Sequence, residues 1–140
     1  MTTSTVTQKV TKANASQVFD EAFGAAQLAV AQTTPTPMVV GEAVDFFSNE
    51  VDYAKPTYVV AGGLCGRAGV VITPARGAFV TYLKANKLGY PNYGGGYYVP
   101  SYRVGGGRGQ SYELALSAAR AAAGVFASYG LDVYVQDSLD

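Results

Sequence analysis

Residues 111–135 read SYELALSAARAAAGVFASYGLDVYV, a helix followed by a strand. Ser111 is a good N-cap, Glu113 falls in the first turn, and Gly130 suits the position after the last turn. Ala115, Ala118, Ala122, Val125, Phe126 and Tyr129 recur at spacings of three and four, which marks a buried face. Its alanines let the backbone approach a sheet or another helix closely. Leu131 to Val135 then alternates and is β-branched, so it reads as a strand.

The same rules extend outward. Ser16 to Gln32 reads as a helix with a stripe of Phe19, Phe23, Ala26 and Val30, and Asn14 with Gln17 has capping-box spacing. Pro35 and Pro37 stop that helix. Met38 to Val40 reads as a short strand. Glu42 to Lys55 is ambiguous, with Val44, Phe47 and Val51 able to form a short helical face. Thr57–Ala61 and Gly69–Thr73 read as two strands, and the glycines between them predict a hairpin. Thr73-Pro74 has the form of an N-cap and first helical residue, opening a helix that carries Phe79, Val80 and Leu83 inward and stops by Gly89. Gly95 to Tyr102 reads as a tyrosine-rich strand.

This order predicts an α/β (α+β) fold. The expectation is a single compact domain over residues 14–140, with a mixed four- to five-stranded sheet packed by two or three helices. Residues 1–13 read as a flexible or partner-ordered arm.

Composition excludes several chemistries. The 140 residues include one cysteine, no histidine and no tryptophan. A Ser-His-Asp triad, a Cys-His pair, an imidazole metal site, an intrachain disulfide and a Cys-rich zinc site are therefore all out of reach. Ten basic residues balance ten acidic ones, which argues against a nonspecific nucleic-acid binder. No apolar run nears the roughly 20 residues that span a bilayer, and no signal-peptide layout opens the chain, so a cytoplasmic protein is expected. No cofactor and no metal are expected.

All five arginines lie from Arg67 onward, in the stretch where glycine and tyrosine also crowd. Gly105-Gly106-Gly107-Arg108-Gly109-Gln110-Ser111 follows a strand and opens a helix. Free N–H groups and the helix dipole favour an anion there, with Arg108, Gln110 and Ser111 as further donors. A flexible loop that merely caps the helix is the equal alternative. The stretch lacks the Gly-Lys-Ser/Thr ending of a Walker loop and is not a clean dinucleotide fingerprint.

In Tyr90-Pro91-Asn92-Tyr93-Gly94-Gly95-Gly96-Tyr97-Tyr98, Tyr93 can stack a base and Asn92 can read a base edge. Tyr97 and Tyr98 suit a core or an interface better. Arg67, Arg76 and Arg103 are further cations for an anion, although solvated side chains explain Arg67 and Arg76 more simply. Arg76 would sit in a first helical turn, where the dipole disfavours it unless an anion is bound. Cys65 reads as a small buried thiol. Asp20, Glu21, Asp45, Glu50 and Asp52 show no metal or acid–base spacing.

Gly63, Cys65 and Gly66 precede a strand; Pro74 and Phe79 open a helix that continues to Leu83 and Lys84. Gly95 and Gly96 precede an aromatic strand, Gly109, Gln110 and Ser111 precede an alanine-rich helix, and Leu139-Asp140 closes the chain. This pattern resembles small α/β proteins of tailed phages over about residues 58 to 140. It departs at Ser138, where the pattern has arginine. Among such proteins the Thoeris anti-defence protein 1 family is the first comparison. The resemblance implies a non-enzymatic sponge for a cyclic ADP-ribose-like signal, held at subunit interfaces of a homo-oligomer. Arg108, Asn92 and Phe79 or Tyr93 are the matching residue types.

The resulting expectation is a non-enzymatic protein that sequesters a small phosphorylated, nucleotide-derived ligand. Its site residues would be Arg108, Gly107, Gly109, Gln110, Ser111, Asn92, Tyr93, Phe79, Arg76, Arg67 and Arg103. A phage assembly component and an inhibitor docking on a host protein are the alternatives, and an enzyme ranks last.

Overall fold

The computed structural model describes residues 9–45, 50–61, 63–105 and 111–139. Among these residues three helices and two antiparallel sheets make one α+β domain. The elements run α1 (Ala15–Gln32), β1 (Met38–Gly41), β2 (Thr57–Val60), β3 (Gly66–Thr73), α2 (Ala78–Ala85), β4 (Tyr90–Pro91), β5 (Tyr97–Pro100), α3 (Tyr112–Ser128) and β6 (Asp132–Leu139). One 3-10 turn, Ser101–Arg103, follows β5.

The main sheet has the order β4-β5-β3-β6. Every pairing in it is antiparallel, which corrects the mixed sheet expected from the sequence. Its inner face carries Ala68, Val70 and Ile72 of β3 and Tyr97 and Val99 of β5. These meet α3, which in turn packs on α1; the small residues Ala15 and Ala22 of α1 and Ala115, Ala119 and Ala122 of α3 allow close approach. Phe79, Val80 and Leu83 of α2 close one end of the core, and Phe79 packs at 5.0 Å from Phe126.

The long helices form where expected. Ser111 caps α3, its hydroxyl accepting from Leu114 N at 3.4 Å, and Gly130 after the helix has φ +84°. In α1 the buried stripe is Ala15, Val18, Phe19, Ala22 and Ala26. Phe23, expected in the stripe, is exposed, and Val30 is only half-buried. Asn14 makes no side-chain cap; its Oδ1 accepts from Thr11 N at 2.7 Å and closes a turn before the helix.

Three local expectations change. β2 pairs with β1, from Met38↔Val60 to Gly41↔Thr57, and not with β3. β3 instead takes β5 and β6 as neighbours, because its continuous apolar run from Ala68 to Ile72 is buried only in a central strand. Helix α2 starts at Ala78 with Gly77 as N-cap, so Thr73-Pro74 precedes it; Thr73 Oγ1 donates to Asp132 Oδ2 at 3.1 Å. No helix lies within 42–45 or 50–55, where Ala43 and Val51 form an antiparallel bridge; Phe47 is outside the described residues.

Candidate functional site

Among the described residues no helix covers the outer face of the main sheet. Alternation along the strands places Arg67, Gly69, Val71 and Thr73 of β3 there, with Tyr98 of β5, Tyr90 of β4, and Tyr134 and Gln136 of β6. The register sets Tyr90 opposite Tyr98, Tyr98 opposite Val71, and Gly69 opposite Gln136.

Gly69 explains how the face is shaped. A Cβ at this position would come within 2.5 Å of Tyr98 Cζ and 2.6 Å of its hydroxyl. The absent side chain lets the Tyr98 ring lie down against the β3 backbone. Tyr98 is then only 6% exposed, although no helix covers it. Tyr90 stands against it at 5.3 Å with a 47° tilt. Burial pushes the Tyr98 phenol above its ordinary value of 10.0; repulsion from Tyr90 and Tyr102 adds to that rise, and Arg67 opposes it.

The turn between β4 and β5 folds over this floor. Asn92 Oδ1 accepts a hydrogen bond from Gln136 Nε2 at 3.0 Å. β4 and β6 are the two edges of the sheet, separated in its plane by three strand spacings, roughly 14 Å. Two short amides cannot span that distance, so the turn curls above the face. Gly96, with φ +83°, fits against Val71 and Thr73 beneath it; an added Cβ would meet Val71 Cγ1 at 2.7 Å. Asn92 Nδ2 also donates to Gly95 O at 2.9 Å, which fixes the amide's orientation.

The result is a groove of about 590 Å³ lined by Arg67, Tyr90, Pro91, Asn92, Tyr93, Tyr98, Gln136, Asp137 and Ser138. Tyr93 stands fully exposed at its rim and Tyr90 is half-exposed. Arg67 Nε donates to Ser138 Oγ at 3.3 Å, and among the described residues Arg67 has no carboxylate partner. A guanidinium in this exposed position has further N–H groups to offer an anion as a fork of donors. Asp137 lies at the end of the groove with its carboxylate accepting from Tyr112 OH at 2.7 Å, a bond that raises the Tyr112 phenol above its ordinary range.

The structure thus brings three of the sequence candidates together: Arg67, Asn92 and Tyr93. Phe79 is 2% exposed and stacks on Tyr82, so most of its ring belongs to the core. Arg76 precedes α2 and does not sit within it, which removes the expected conflict with the dipole; it lines a separate cleft of about 260 Å³ together with Phe79, Lys9, Val10 and Gly130. Arg103 lies over the Tyr102 ring at 5.4 Å in the turn after β5. Ser111 is the α3 cap and bridges Cys65, which is exposed and not buried as expected. Gly107, Arg108, Gly109 and Gln110 lie outside the described residues.

Tyr90, Pro91 and Tyr98 also line the groove, although the sequence reading gave them no ligand role, and Gln136, Asp137 and Ser138 of the last strand were missed as well. Their signal was the alternation of Val133 and Val135 with Tyr134 and Gln136, which extends the last strand beyond Val135. Among the described residues no cluster of three metal-ligating side chains occurs, and no helix is long and apolar enough to cross a membrane. No protein-family model, curated protein or solved structure matches this chain.

Proposed function

We propose that this chain binds a small planar anion of the nucleotide-derived class in the outer-face groove and holds it without chemical change. The observation that carries this reading is the juxtaposition of Arg67, free of any carboxylate among the described residues, with Tyr90, Tyr93 and Tyr98 under the Asn92–Gln136 bridge. The exposed rings of Tyr90 and Tyr93 stack on a base with Tyr98 as the floor beneath, the guanidinium takes a phosphate, and the Gln136 amide offers polar edges. Sequestration of a nucleotide signal, as the motif likeness to tailed-phage proteins implies, is the role such a groove would serve.

The test is thermal unfolding of the purified chain against mononucleotides and cyclic nucleotides. At least one should raise the melting temperature, and Arg67→Ala should remove the shift while leaving the unliganded melting temperature unchanged. No shift across the panel overturns the reading, and turnover of a bound nucleotide overturns its non-enzymatic part.

A second reading, an assembly component, is favoured by a different observation. The β1–β2 hairpin exposes Tyr58 and Val59 at 63% and 62%, with Tyr53 beside them. Apolar side chains held out in this way suit contact with another protein. Under this reading the chain co-purifies with particles and shows no nucleotide response.

A further inference from the structure

We propose that two copies of this chain pair through β6, in a two-fold dimer with one continuous antiparallel sheet. β6 is an edge strand, bonded to β3 from Asp132 to Leu139. Among the described residues its outward edge has no strand and no backbone partner. Such an edge presents a row of free N–H and C=O groups, which sheets ordinarily blunt with proline, charged side chains and lysine above all, a bulge or a short strand. DVYVQDSL contains neither proline nor lysine, and its ladder with β3 runs without a bulge; its two charges are Asp132 and Asp137, and Tyr112 OH donates to the Asp137 carboxylate at 2.7 Å. The opposite edge, β4, is blunted by being two residues long and ending in Pro91.

The inward side chains of β6 give a second, independent sign. Val133 and Val135 pack on the core but remain only half-buried. Their ladder partners Ile72 and Val70 are exposed by 2% and 0%. The core therefore lies open along β6, and an extension of the sheet would cover it.

A second copy fits for geometrical reasons. A two-fold axis perpendicular to the sheet makes the two β6 strands antiparallel and keeps the helices of both copies on one side. Residues directly opposed in an antiparallel pair share a face, so only residues of equal parity can meet. Setting Val135 against the partner's Val135 overlaps the strands from Asp132 to Ser138. It places Tyr134 against the partner's Gln136, Val133 against the partner's Asp137, and Asp132 against the partner's Ser138. No acid meets an acid, which would weaken the ladder. The pairing does not depend on the ligand reading.

Sedimentation equilibrium of the full chain at high micromolar concentration should give twice the 14.6 kDa monomer mass. Val135→Lys brings two ammonium groups together at the axis and should return the monomer mass with an unchanged circular dichroism spectrum. Val135→Cys combined with Cys65→Ser should form a disulfide-linked dimer on mild oxidation, and it keeps the idea testable where the lysine variant fails to fold. A monomeric wild-type chain overturns the proposal. So does a dimer that survives Val135→Lys and does not cross-link through Val135→Cys.

Discussion

β2 and β3 are built from similar residues and meet opposite fates. Thr57-Tyr-Val-Val60 and Val70-Val-Ile-Thr73 are both β-branched or aromatic, and five residues separate the end of β2 at Val60 from the start of β3 at Gly66. In β3, Val70, Val71 and Ile72 are 0%, 0% and 2% exposed; in β2, Tyr58 and Val59 are 63% and 62% exposed. Strand propensity sets the extended backbone in both. Burial depends on partners: β3 has a strand on each side and helices on one face, while β2 has only β1. A two-stranded ribbon alone is marginal in water, so the hairpin depends on its root and on whatever covers it.

The contrast breaks most severely if the body of the fold loses a core ring. Phe126 is fully buried, 5.0 Å from Phe79 and at the centre of the contact between α3 and α2. Phe126→Ala should cost about 3–5 kcal/mol, the ordinary range for an aromatic core deletion. Urea unfolding measures it, and hydrogen exchange should rise throughout the main sheet. A loss under about 1 kcal/mol would mean that the ring is not part of the core.

The next effect sharpens the comparison at the groove. Gly69→Ala places a methyl where the Tyr98 ring lies, 2.5 Å from Cζ. The ring must rise off β3, which should cost about 1–3 kcal/mol as overpacking does. Tyr98 then gains exposure, readable as a change in near-ultraviolet circular dichroism, and any ligand-induced melting shift should fall with it. The same alanine in β2 has no such ring to displace.

These two sites show how far the sequence could be read. The helix at Tyr112–Ser128 and the inward Phe126 follow from periodicity and caps, which are local properties. The groove does not follow, because Arg67, Asn92 and Gln136 are far apart in the chain and meet only through the β4-β5-β3-β6 register. Arg67 and Asn92 were visible as residue types in a suggestive setting. Gln136 was not, since its role depends on which edge strand the Asn92 turn folds toward. The hairpin expected between β2 and β3 failed for the related reason that glycines permit a reversal without choosing the strand's partner.

A smaller effect lies where the two regions join. Glu113, in the first turn of α3, accepts from Thr36 N at 2.8 Å and so ties the start of the β1–β2 excursion to the body. Glu113→Ala removes that bond and a favourable charge near the helix N-terminus, a combined loss of about 1 kcal/mol. Amide exchange should quicken in β1 and β2 more than in β3 and β6. Equal acceleration in both sheets would mean that the hairpin does not hang from this residue.

The smallest effect is expected within the hairpin itself. Tyr58 packs on nothing that excludes water, so Tyr58→Ser removes a ring already exposed at 63%. In the isolated chain the change should stay within about 0.5 kcal/mol, the range for surface positions. The value of the variant is that it separates two causes of exposure. If the hairpin is only an ornament, Tyr58→Ser is silent in every assay. If another chain covers it, the same substitution leaves monomer stability alone and weakens that association, because the ring would then be buried at a contact. A cost of about 2 kcal/mol in the monomer would contradict both, and would place Tyr58 against the body of the fold.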